Sequence, residues 1–95
     1  MFIANLMTGQ GGIAIPYNLA TTVVTVGGTV AAGTYSSVEF HNQGDENVTV
    51  NGRIITPGNS FPVNGFPGEV GQDDLVYAFA GGGSGPALAI TIKTY

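Results

Sequence analysis

The chain has 95 residues, with two Lys or Arg, six Asp or Glu and a formal net charge of −4. Two basic residues cannot replace phosphate counterions, so neither nucleic acid nor an anionic membrane surface is an expected partner. With no Cys and one His, disulfides and thiolate zinc are excluded, and no metal site or cofactor is expected.

Residues 1–7, an apolar arm carrying Phe2, Ile3, Leu6 and Met7, read either as a first strand of the same domain or as an arm that extends onto a neighbouring subunit, and residues 9–12 as a flexible glycine break. Residues 13–17 are expected as a short edge strand, where Pro16 is tolerated. Residues 21–26 are a β-branched strand. Gly27-Gly28 then reads as a hairpin turn, with 29–32 returning beside it. Residues 35–41 alternate: Ser36, Val38 and Phe40 share one face, and Tyr35, Ser37, Glu39 and His41 the other. The apolar side is Val38 and Phe40, so Glu39 and His41 should face water or a partner.

Residues 42–47 are expected as a polar turn. Val48–Val50 and Arg53–Ile55 flank Asn51-Gly52, the strongest two-residue signal for a type I′ hairpin. Residues 56–59 form a turn with Pro57 at its second position, and Ser60–Val63 another short strand. The longest loop is 64–74. Leu75–Phe79 points Leu75, Tyr77 and Phe79 to one side. Residues 81–85, all Gly but Ser84, are expected as a mobile tip. Residues 87–94 close the fold with Leu88, Ile90 and Ile92 inward and Thr91 and Lys93 outward.

Sixteen Gly and five Pro punctuate these runs, and no 11-residue window keeps helical periodicity without one of them. The fold class is therefore all-β: a small antiparallel β-sandwich, jelly-roll-like or Ig-like, with seven or eight short strands and little or no helix. Residues 1–12 are the arm and its glycine segment; residues 13–95 are the single sandwich domain. A domain this short has a marginal core. No charged residue precedes Glu39, so a chain with so few ions and no staples is expected to be covered in part by other protein. No run is long and apolar enough for a transmembrane helix. The start has no positive n-region of a signal peptide, so synthesis and assembly in a cytoplasm are expected.

Reaction chemistry is not visible. Ser37, Glu39 and His41 share a strand face, but residues i and i+4 on a strand stand about 13 Å apart, too far for a nucleophile and its base. Asp45-Glu46 and Asp73-Asp74 lack the spacing of a calcium loop and read as solvated turn residues. Nothing places Glu39 and Glu69 as a glycosidase pair. The 81–85 run lacks the Lys and helix of a phosphate loop. Asn47-Val48-Thr49 fits a glycosylation acceptor but has no secretory signal beside it. Tyr17, Tyr35, Phe61, Phe66, Tyr77 and Tyr95 could stack on sugars, although aromatics also form the core of small sandwiches. No enzyme is expected. The candidate contact residues for protein partners are Phe2, Ile3, Leu6 and Met7 on the arm, with Phe66 and Pro67 on the long loop.

The segment V-T-V-N-G-R-I-I-T-P-G-N-S-F, residues 48–61, resembles the centre of small all-β virion proteins of tailed bacteriophages. The closing run L-V-Y-A-F-A-G-G-G-S-G-P-A-L-A-I-T-I, residues 75–92, is similar to their last hairpin. The resemblance implies a capsid cement (decoration) protein. Its copies, trimeric in many such proteins, would sit on a larger shell such as one of major capsid protein. The protein would then be found in the virion after assembly in the host cytoplasm. A receptor- or carbohydrate-binding tail or spike module is the alternative. The resemblance carries no catalytic or ligand residue.

Overall fold

The structure is a computed structural model that describes residues 15–95. Eight strands follow one another: β1 (Asn18–Val24), β2 (Gly28–Val30), β3 (Ser37–Asn42), β4 (Val48–Val50), β5 (Arg53–Ile55), β6 (Ser60–Val63), β7 (Leu75–Phe79) and β8 (Leu88–Thr94). Among the described residues there is no helix.

The pairing follows one rule. β4 pairs with β5, β3 with β6, β2 with β7 and β1 with β8, all antiparallel. The first four strands thus form one arm of a long folded hairpin, and the last four the other. Its bend is Asn51-Gly52, where both residues have positive φ, 47° and 82°, as a type I′ turn requires. Two further pairings, β3 with β8 and β4 with β7, roll this double ribbon into two sheets. Their strand orders are β1-β8-β3-β6 and β2-β7-β4-β5. That connectivity is a jelly roll, which resolves the two sandwich types left open by strand counting.

Period-two alternation fills the space between the sheets. Phe40, Leu88 and Val48 are fully buried, with Val38, Val50, Ile55, Leu75 and Ile90 close behind. Each inner position faces inner positions on the neighbouring strands, as in Thr22–Ile90–Phe40–Phe61. Glu39 lies on the outer side of the same sheet and is exposed. Burial of one such side chain is worth roughly 1.5–3 kcal/mol, so this row of apolar positions holds the two sheets together.

Several expectations change in three dimensions. Gly27-Gly28 is not a hairpin: β1 and β2 lie in different sheets, and the chain crosses between them here. A Cβ on Gly27 would stand 2.9 Å from the Tyr77 carbonyl oxygen, and one on Gly28 2.7 Å from the Tyr77 hydroxyl. The glycines permit the crossing to run close against β7. Residues 15–17 are not a strand, and the first strand starts at Asn18 rather than Thr21. Tyr35 precedes β3 and is buried rather than outward-facing, because its ring packs against Gly71 of the long loop. The expected arm residues Phe2, Ile3, Leu6 and Met7 lie outside the described residues.

Candidate interaction surface

The two sides of the sandwich are finished differently. On the β5/β6 side, Pro62 interrupts the donor row of β6. The Arg53 guanidinium lies 5.0 Å over the Phe61 ring and spans the gap between sheets. Pro and charge are the usual protections of a sheet edge. On the other side β1 offers neither. Its sequence NLATTVV has no Pro, Gly or charge over seven residues. Among the described residues β1 pairs with β8 alone, and no other backbone hydrogen bond reaches it. Every second residue of an edge strand turns its N–H and C=O outward, so β1 presents an unpaired ladder.

β1 is also bare on both faces. Leu19 is 59% exposed and Val23 54% exposed on the outer face, where they flank Thr21. The Thr21 hydroxyl meets that of Thr91 at 3.0 Å, so the polar group between Leu19 and Val23 is spent within the sheet. On the inner side Ala20 and Thr22 are exposed and Val24 half-buried, because short β2 does not cover them. Between β1 and β2 an open groove of about 260 Å³ results, lined by Thr22, Val24, Val30, Tyr77, Ile90 and Ile92 among others. The roll is incompletely closed along this side.

At the end where the described chain begins, Tyr17 meets Tyr95 edge to face at 6.1 Å. The Lys93 ammonium lies 4.5 Å from the Tyr17 ring centre. Lys93 therefore sits on one of the ring faces that a stacked sugar would use.

The long loop 64–74 caps the same end of the roll as the Asn51-Gly52 turn. Phe66 is 77% exposed and Pro67 is exposed beside it, at the loop tip. The tip is held in shape: the Phe66 N–H donates to Glu69 Oε1 at 2.6 Å, and the Glu69 N–H to the Phe66 carbonyl at 2.9 Å. A cleft of about 460 Å³ opens beneath the loop beside Tyr35, Asn64 and Gln72. The Tyr35 hydroxyl donates to the Asp73 carbonyl at 2.6 Å. Burial, reinforced by the Asp73 charge, holds this phenol above its ordinary pKa. Tyr35 is thus a neutral structural donor.

The opposite end of the roll corrects two expectations. Asp45 and Glu46 are not merely solvated, and 81–85 is not a loose tip. Asp45 accepts from the Ser84 N–H and hydroxyl and from the Gly85 N–H, at 2.9–3.0 Å. Glu46 Oε1 accepts from the Gly81 N–H at 2.8 Å. The acids take up backbone donors that the glycine loop leaves free. Those bonds hold the Asp45 carboxyl below the usual carboxylate range, the Gly85 N–H first among them.

His41 and Ser60 form a pair that sequence spacing did not reveal. The His41 Nδ1 stands 2.7 Å from the Ser60 hydroxyl, across the β3–β6 ladder. The distance suits a nucleophile and base, but such a site also needs an orienting acid and oxyanion donors. The pair lies on the outer sheet face, where β3 and β6 place it directly opposite across two paired strands. Among the described residues no three His, Cys, Asp or Glu side chains cluster to hold a metal ion. Nor is any helix there long and apolar enough to cross a membrane. No protein-family model, curated protein or solved structure matches the chain.

Proposed function

We propose that this chain is a structural assembly protein, a capsid cement (decoration) subunit. Its copies associate with one another and bind a larger protein shell such as a lattice of major capsid protein. The observation that carries the proposal is the β1 side of the roll. A seven-residue edge without charge or Pro, bare on both faces and beside an open apolar groove, is an association surface by its physics. The resemblance of residues 48–61 and 75–92 to small virion proteins supplies the particle. Jelly rolls occur in capsid proteins, in lectins and in cupins, so the fold adds compatibility and no more.

The mechanism is burial of apolar area together with completion of a backbone ladder. Apolar surface contributes roughly 25 cal/mol per Å², discounted for the cost of association. Copies repeated over a lattice then add avidity. Phe66 and Pro67, on a tip braced by Glu69, are the second contact. An edge strand with no charge of its own implies weak salt dependence. The test is co-sedimentation of the purified chain with candidate capsids between 50 mM and 1 M salt. Attachment retained at 1 M salt is the expected result; attachment lost over that range, or absent throughout, contradicts the proposal.

A further inference from the structure

Among the described residues the open side of the roll offers an unpaired strand edge beside a groove of about 260 Å³. A strand laid along the free edge of β1 would satisfy its outward N–H and C=O groups. Every second side chain would enter the groove between β1 and β2. The residues opposite one another on paired strands share a face, with Cβ atoms about 5 Å apart. The occupant must therefore carry apolar groups at the spacing of Leu19 and Val23 on its outer face and further apolar groups on its inner face.

Residues 1–7 of this chain have that pattern. Ile3 and Met7 are spaced as Leu19 and Val23 are, with Asn5 between them as Thr21 lies between the other two. Phe2, Ala4 and Leu6 fall on the alternate face, and the segment has no charge and no Pro. Resting on the assembly role above, we propose that residues 1–7 of one copy add to the β1 edge of a second copy as a ninth strand. Pairing is antiparallel, with Ile3 opposite Val23, Asn5 opposite Thr21 and Met7 opposite Leu19. This register sets Phe2 beside Val24 at the groove and Leu6 beside Ala20. The parallel alternative would set Phe2 beside Asn18 and use the less stable ladder.

The chain ahead of β1 is long enough to reach a second copy. Residues 15–17 form no turn or bend before β1. Pro16 keeps Ile15 extended, and these two residues are about 7 Å of chain ahead of the Tyr17–Tyr95 contact. Residues 8–14, with Gly9, Gly11 and Gly12, add a permissive link of at most about 24 Å.

Because the chain has no Cys, cross-linking can read the register directly. Full-length Ile3→Cys and Val23→Cys variants are mixed and treated with a short bis-maleimide, as are Met7→Cys and Leu19→Cys. Ile54→Cys, exposed on the other sheet, replaces the β1 partner as a control. The expected result is a mixed dimer in both register pairs at least tenfold above the control. In a companion chain carrying both Ile3→Cys and Val23→Cys, reaction confined within single chains shows the arm on its own edge and overturns the proposal. Strong linkage of Leu19→Cys to Val23→Cys shows two β1 edges paired directly and overturns it too. Absence of mixed dimer in a sample that still sediments as an oligomer refutes the arm exchange and leaves the assembly role standing. A sample monomeric throughout refutes both.

Discussion

Asp45, in the turn between β3 and β4, grips Ser84 from 39 residues away. One carboxylate oxygen accepts from both the Ser84 N–H, at 2.9 Å, and its hydroxyl, at 3.0 Å. Asp45→Ala should therefore free residues 81–85 without disturbing the sheets. Amide exchange of Ser84 and Gly85 should rise at pH 7, with the urea midpoint unchanged. The same bonds set a pH dependence. Asp45 titrates below its ordinary value, so the ionised clamp is fully present above an unfolded carboxylate pKa of about 3.9 and is lost as pH falls through the lower folded value. Loop protection should be flat from neutral pH to about 4 and fall only below it.

Asn42 closes β3 with a fully buried amide. Its Nδ2 donates to the carbonyls of Glu46 and Ile55, at 2.8 and 2.9 Å, while its Oδ1 accepts from the Gly44 N–H at 3.0 Å. Asn42→Ala strands two carbonyls and an N–H. Unsatisfied buried groups cost about 1–3 kcal/mol each, so stranding three of them is expected to cost roughly 3 kcal/mol or more in urea unfolding. Asn42→Asp should not rescue it, since a carboxylate cannot donate to those carbonyls.

Gly71 lies against the Tyr35 ring: an added Cβ would stand 2.0 Å from Cε2. The ring cannot step aside easily, because its hydroxyl is bonded to Asp73 and the Tyr35 carbonyl accepts from the Gly71 N–H at 2.7 Å. Gly71→Ala should cost about 1–3 kcal/mol by overpacking. Gly33→Ala should be costly too, for a different reason: its φ of 85° lies in the left-handed region, while the space around it is open. Tyr35→Leu should recover part of the loss when combined with Gly71→Ala and none when combined with Gly33→Ala.

Much of the roll was legible from local signals. Asn51-Gly52 marked the bend of the whole double ribbon, and alternation placed Val38, Phe40, Leu88 and Ile90 inward. Strand partners were not legible. Alternation assigns a side chain to a face but says nothing of which distant strand lies beside it, so local signals match β1 with its sequence neighbour β2 rather than with β8. The clamp of Asp45 on Ser84 and the His41–Ser60 pair were hidden for the same reason: each joins residues that only the roll brings together. Asn42 was assigned to a polar turn because an amide in a run of Asn, Gln, Gly, Asp and Glu has no local mark of burial. The bare edge of β1 was foreshadowed only by its lack of charge.

Leu19 and Val23 stand on the outer face of that edge, both more than half exposed and neither a member of the core cluster. Replacing both by Lys should leave the unfolding midpoint of the subunit nearly unchanged, since exposed substitutions usually move stability by no more than about 0.5 kcal/mol. It should block association, because charged side chains on an edge strand repel a second strand of the same kind.

Sedimentation equilibrium of the purified chain beside this Leu19→Lys/Val23→Lys variant, across a hundredfold range of concentration, tests the role of the β1 edge most directly. The wild-type chain should reach a multiple of the monomer mass, and the variant should stay at one. A wild-type chain that remains a single-mass monomer at every concentration, or a variant that assembles as well as the wild type, would contradict it.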